Sequence, residues 1–196
     1  MTMVERRFFM VSFNKWPIVI GLGGGALFPL AQAADVEFRA LISDISSHCS
    51  IALSETTLSF VPLQANKLIG GVTTYQIQPL RVDLLCHDVT QNIAPSITFQ
   101  GNTPYSQSNT LFLDGSANGV GFMLRQDQGA RPSLAEFYDT NQAIASNGPP
   151  LSLTTLDTTN NYYHEETFWV GLVGPLNTPV ISGNFQATLT VNVAFQ

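Results

Sequence analysis

The chain has few charged side chains, and few of those are basic. Only 11% of its 196 residues are charged, with eight Lys and Arg against fourteen Asp and Glu. A surface with this balance repels nucleic acid phosphates, and no basic run is present to attract an anionic membrane. Nucleic acid is therefore not an expected partner.

Histidine is also scarce, and no set of residues typical of a catalytic or metal site is visible. The three histidines, His48, His87 and His164, are fewer than the metal sites known on β-sandwich folds require. His164 is followed by Glu165 but lacks the second histidine that an HExxH zinc helix needs. No GxSxG elbow, phosphate-binding loop or paired-carboxylate motif is present. The sequence predicts no enzyme, no cofactor and no metal.

The first 33 residues have the order of a secretory signal. Arg6, Arg7 and Lys15 precede an apolar stretch over residues 17–30, and small residues follow up to Ala33. We expect cleavage after Ala33, which leaves a chain of a size normal for one domain. The alternative is an uncleaved N-terminal anchor.

Two cysteines, Cys49 and Cys86, lie in the exported part of the chain. Export places them where thiols oxidise, so a single disulfide is expected. The alternative is a pair of free, buried thiols.

Alternating apolar and polar residues are frequent after the signal, whereas helical periodicity is hard to find. This pattern predicts an all-β fold, an antiparallel sandwich with Greek-key links. Residues 131–166 show the least clear secondary-structure pattern. They are expected to form a long surface connection with a short strand at 151–153. The other predicted strands are 36–42, 49–60, 75–86, 96–99, 110–113, 119–126, 167–173 and 184–195.

The first and last predicted strands are unusual. The last is a long apolar strand, which is an aggregation hazard at a sheet edge unless something covers it. Its apolar face consists of Phe185, Ala187, Leu189, Val191, Val193 and Phe195. The first strand carries Val36, Phe38, Ala40 and Ile42 on one face. It can pair within its own domain or be offered to a neighbour, because strand addition uses main-chain hydrogen bonds for affinity and alternate side chains for specificity.

These segments together resemble the chaperone–usher fimbrial subunits, the type 1 and P pilus subunits among them. Residues 36–42 look like the family's N-terminal donor extension, and Cys49 with Cys86 looks like its disulfide between the first two strands. Residues 119–124 resemble its mid-chain strand. The family pattern also has a glycine fourteen residues from the C-terminus and a penultimate aromatic residue, here Gly183 and Phe195.

The resemblance implies an incomplete immunoglobulin-like sandwich that lacks its seventh strand. A periplasmic chaperone fills the gap first, and the donor extension of the next subunit then replaces it. The expected division is a signal peptide at 1–33, a donor extension at 34–44 and a pilin domain at 45–196. Residues 183–196 would line the groove and pair with the chaperone, with the Gln196 carboxylate anchored by basic chaperone residues.

The resemblance further implies an outer-membrane usher and neighbouring pilin subunits as partners, in a fimbrium exported through the periplasm to the cell surface. A host receptor would be contacted only through the fibre. Donor strands of the family usually carry glycine where this chain has Ala40, so the added methyl should weaken insertion. The alternative function is a secreted carbohydrate-binding adhesin domain that completes its own sandwich with the N-terminal strand. Tyr138, Tyr162, Tyr163 and Trp169 would supply its sugar-binding face, unless they are core or subunit-contact residues.

Overall fold

A computed structural model describes residues 32–42, 48–64, 67–176 and 180–196. The predicted signal peptide lies outside the described residues, apart from the backbone of residues 32 and 33. The first strand, β1, already begins at Gln32, so it includes the last two positions of the predicted signal.

The described residues form two packed β-sheets, which confirms the all-β sandwich prediction. We call them the groove sheet, with strand order β3-β1-β9-β5-β7, and the back sheet, with order β2-β4-β8-β6. A one-turn helix, α1, lies between β6 and β7. The element bounds are β1 (Gln32–Ile42), β2 (Cys49–Leu53), β3 (Thr57–Leu63), β4 (Thr73–Cys86), β5 (Pro95–Gly101), β6 (Gly121–Gln126), α1 (Leu134–Phe137), β7 (Leu151–Ser152), β8 (Tyr163–Gly174) and β9 (Phe185–Phe195).

The main core lies between the sheets because alternate residues of each strand turn inward. In β9 every second residue from Phe185 to Phe195 is buried. Aromatic rings join the two sheets: Phe99 of β5 meets Phe168 of β8 edge to face, with ring centroids 4.9 Å apart. This interdigitation fixes which face of each strand is internal.

The predicted strand at 49–60 is wrong as a single strand, because the chain changes sheet within it. β2 pairs with β4 in the back sheet, whereas β3 pairs with β1 in the groove sheet. Ser54 lies at the crossing, where its N–H donates to the Arg81 carbonyl at 2.9 Å and its Oγ accepts from the Arg81 N–H at 3.1 Å. The alternation of side chains continues through such a crossing, so the pattern alone does not reveal it.

The region at 131–166 is also more structured than a surface connection. Phe137 of α1 is fully buried on the outer face of the back sheet, in a second small core with Met123 and Val173. It rests directly on Gly171, where an added Cβ would lie 2.2 Å from a ring carbon of Phe137. We call residues 131–146 the cap segment, since they cover this face.

The predicted strand at 110–113 is reduced to a single bridge between Phe112 and Phe122. Within the part of the chain that the structure describes, no helix is long and apolar enough to cross a membrane.

Candidate functional site

The candidate site is a groove between β3 and β9 of the groove sheet, and β1 of the same chain fills it. β1 runs antiparallel to β3, with Ala34 opposite Phe60 and Val36 opposite Leu58. It runs parallel to β9, from Ala34 opposite Phe185 to Ile42 opposite Val193. The ladders between the other named strands are antiparallel. The N-terminal strand therefore completes its own domain, through a parallel pairing with the last strand.

The side chains that β1 inserts are those at 34, 36 and 38. Val36 is 0% exposed and Phe38 is 2% exposed, and both pack into the main core. Ala40 is only half-buried, and Leu41 on the opposite face is 56% exposed. The side chain of Ile42 lies outside the described residues. We call Ala34, Val36 and Phe38 the inserted face.

Ala34 lies within the predicted donor extension but was not among the residues predicted for its apolar face, although it is buried. The alternation that places Val36 and Phe38 on one face extends back to Ala34 by the same period of two. Ala34 was missed because it directly follows the predicted cleavage site.

β9 forms one wall of the groove and is a central strand, between β1 and β5. All six apolar residues predicted for its inner face are buried. Gly183 precedes β9 and is exposed, and Gln196 follows it, with its carbonyl oxygen accepting the Ala94 N–H at 2.7 Å. β1 thus covers the edge that sequence reasoning identified as a hazard. The chaperone-binding role of residues 183–196 stays a prediction.

β3 forms the other wall, and its outer edge is occupied by two side-chain amides. Gln76 of β4 accepts the Val61 N–H at 2.8 Å through Oε1 and donates from Nε2 to the Val61 carbonyl at 2.6 Å. Gln78 donates from Nε2 to the Ser59 carbonyl at 2.5 Å. We call Gln76 and Gln78 the amide clamp.

Sequence reasoning missed the amide clamp, although a signal was available. Leu80, Val82 and Leu84 of β4 face the main core, and Gln78 continues that series by the period of two. Polar residues at inward positions need hydrogen-bond partners. Amides at such positions therefore indicate a specific contact across the sheets.

The disulfide joins Cys49 and Cys86, which are directly opposite each other in the β2 and β4 pair. His48 and His87 are adjacent to it, and the His87 N–H donates to the His48 carbonyl at 2.7 Å. His164 instead contacts the Glu166 carboxylate at 3.0 Å. Among the described residues, no group of three His, Cys, Asp or Glu side chains could hold a metal ion.

Two cavities flank the cap segment on the back sheet. One of about 670 Å³ is lined by Tyr105, Tyr138 and uncharged amide and hydroxyl side chains. Burial raises the pKa of Tyr105, whose hydroxyl donates to the Val120 carbonyl. The other cavity, of about 530 Å³, includes Trp169, with the Arg131 guanidinium 5.8 Å from the ring centroid.

Tyr138 and Trp169, two of the four aromatic residues considered for a sugar-binding face, therefore lie in separate cavities. Tyr162 packs against the main core, and the hydroxyl of Tyr163 donates to Asp83 at 2.7 Å. The structure does not bring these four aromatic residues together into one face.

Comparison with known proteins gives one family. A family model described as fimbrial protein matches residues 36–196. No curated protein matches the chain. Among solved structures, the chain is similar to the CupB6 tip adhesin from Pseudomonas aeruginosa, with 15% sequence identity and a TM-score of 0.40. That similarity covers 66% of this chain and 34% of the adhesin, so the chain spans about a third of the adhesin's length.

Proposed function

Because the chain belongs to the fimbrial protein family, we propose that it joins its neighbours by donor-strand exchange, in which β1 leaves its own groove and enters that of the next subunit. The observation that carries this proposal is the position of β1. It is bound on both sides by strand pairing, and the expected cleavage after Ala33 would leave it as the first segment of the mature chain. A terminal strand can leave a sandwich without threading the rest of the chain through it.

The relative direction of the paired strands favours the exchanged state. β1 makes its longer ladder, over residues 34–42, with β9 in parallel, and its shorter ladder with β3 in antiparallel orientation. Parallel pairing is slightly less stable per residue. A neighbour's extension that entered in the opposite direction would make the longer ladder antiparallel, so exchange would replace the weaker arrangement by the stronger one.

The proposed exchange needs no catalysis by this chain, because only non-covalent pairing changes. Before assembly, a periplasmic chaperone would protect the groove, and an outer-membrane usher would bring subunits together. Adhesion would be a property of the finished fibre at the cell surface.

Phe38→Asp tests the proposal. A carboxylate on the inserted face cannot enter an apolar groove without a large desolvation cost, so this variant would accept a neighbour's strand but not donate its own. Co-expressed with the wild-type subunit, chaperone and usher, it should end chains and shorten the fibres seen by electron microscopy. Leu41→Asp is the matched control, since Leu41 faces outward on the same strand. Fibres of normal length that contain the Phe38→Asp subunit would contradict strand donation by β1.

A second candidate is a carbohydrate-binding domain that remains complete by itself. It is supported by the self-filled groove and by the uncharged cavity beside Tyr105 and Tyr138, since aromatic rings with amides and hydroxyls suit sugars. Expression with and without the chaperone and usher separates the two candidates. A monomer that stays soluble and does not polymerise even when both are present supports the second candidate, whereas polymerisation that depends on them supports donor-strand exchange.

A further inference from the structure

We propose that the amide clamp is a positioning device that holds β3 in place as a groove wall while the groove is empty. This inference rests on the proposed strand exchange, which requires a state between the departure of one strand and the arrival of the next. The clamp bonds join β3 to β4, a strand of the other sheet.

The need for such a device follows from the position of β3 in the groove sheet. β3 is a terminal strand of that sheet, and β1 is its strand partner there. When β1 leaves, β3 loses its backbone ladder entirely, whereas β9 keeps its ladder with β5. The two walls of the groove therefore differ: β9 stays fixed by backbone pairing, and β3 needs other contacts.

Side-chain packing supplies some of these contacts. Leu58 and Phe60 are buried, and the Phe60 ring lies with its centroid 5.3 Å from that of Phe122 on β6. Packing is weakly directional, however, and does not fix the backbone edge that an incoming strand must pair with. Hydrogen bonds fix that edge because their strength depends on distance and angle.

The amide clamp provides those bonds in the manner of a strand. The Gln76 side chain both accepts from and donates to Val61, as a peptide group of a neighbouring strand would. Gln78 repeats the donation two residues earlier, at Ser59. These bonds use the edge of β3 that faces away from β1, so they persist when β1 leaves. They also leave the outer edge of β3 closed to a foreign strand, which directs strand addition to the groove.

The test uses the full mature chain carrying Phe38→Asp, so that its groove is open to an added synthetic peptide of residues 34–43. In that background, Gln76→Glu with Gln78→Glu keeps the side-chain shape but removes the N–H donors to Val61 and Ser59. We expect peptide affinity at pH 7 to fall roughly tenfold or more, because each variant side chain loses the hydrogen bond that it donated to β3. If the open chain does not stay folded, it is refolded with the peptide, and the peptide dissociation rate is measured instead.

Two further readouts separate positioning from a general loss of stability. Acidification through the glutamate pKa, ordinarily about 4.3, returns an O–H donor to each side chain and should restore affinity to that of the Phe38→Asp chain with an intact clamp at the same pH, a comparison in which titration of the Phe38→Asp carboxylate cancels. Chymotrypsin should cut after Phe60 in the chain that carries both glutamate substitutions and Phe38→Asp. It should not cut there in the chain that carries the glutamate substitutions alone, because β1 then stays inserted. Gln186→Glu is the matched control, because Gln186 is an exposed residue of the other groove wall.

Peptide affinity and cleavage equal to those of the Gln186→Glu control would overturn the clamp. If the open chain with an intact clamp bound no peptide, the proposed exchange would fail, while cleavage after Phe60 would still decide whether the clamp holds β3.

Discussion

Phe38→Ala probes how firmly β1 is held in its own groove. Phe38 is 2% exposed, and truncating a buried phenylalanine to alanine typically costs about 3–5 kcal/mol, through lost burial and the cavity that remains. A domain of this kind has a total stability of roughly 5–15 kcal/mol. The substitution should therefore remove a large share of the stability of the self-filled monomer.

Urea unfolding of the purified mature monomer, followed by tryptophan fluorescence, measures this effect. With a denaturant slope of about 2 kcal/mol per molar urea, the midpoint should fall by roughly 2 M. Leu41→Ala, on the outward face of the same strand, should change the free energy of unfolding by less than about 0.5 kcal/mol. Equal midpoints for the two variants would refute the placement of β1 in the groove.

Gly171→Ala and a pH titration test the back sheet. An added Cβ at Gly171 would lie 2.2 Å from the Phe137 ring, so Phe137 must move, and we expect a loss of about 1–3 kcal/mol in urea unfolding. Burial raises the pKa of Tyr105 above its ordinary value of 10.0, so the unfolded chain releases this proton at a lower pH than the folded chain does. The resulting stability is present below pH 10 and is lost as the pH rises through the folded pKa. Tyr105→Phe should therefore make the urea midpoint fall less steeply above pH 10.

Gly183→Ala is the control for Gly171→Ala, because a Cβ at Gly183 would meet nothing within 4 Å. Equal effects of the two substitutions would show that Phe137 is not packed on Gly171. For Tyr105, an unchanged alkaline slope in the Tyr105→Phe variant would show that its hydroxyl does not titrate as inferred.

The sequence predicted the terminal strands well because each carries a sustained period of two. Every second residue of β9 from Phe185 onward is buried, and Val36 and Phe38 are buried in β1. The crossing at Ser54 was not predictable in this way, since the alternation continues while the chain changes sheet. Phe137 was missed because a single turn of helix is too short to show a period, and its contact with Gly171 is distant in sequence.

The alternating pattern could not predict whether β1 occupies its own groove or a neighbour's. Insertion into its own groove and insertion into a neighbour's groove require the same apolar face, so Val36 and Phe38 suit both. Stability differences between the two states must then arise mainly from ladder polarity, not from the identity of the inserted residues.

Ala40 shows where the two states would differ. In the self-filled groove it lies opposite Val191 and is only half-buried, so its methyl group has room there. A strand that enters in the opposite direction reverses the order of its residues along β9, and Ala40 then meets a different part of the groove wall. The expected penalty at Ala40 therefore concerns the exchanged state of the proposed fibre. The penalty does not apply to the self-filled monomer, because its inserted face consists of Ala34, Val36 and Phe38 and does not include Ala40.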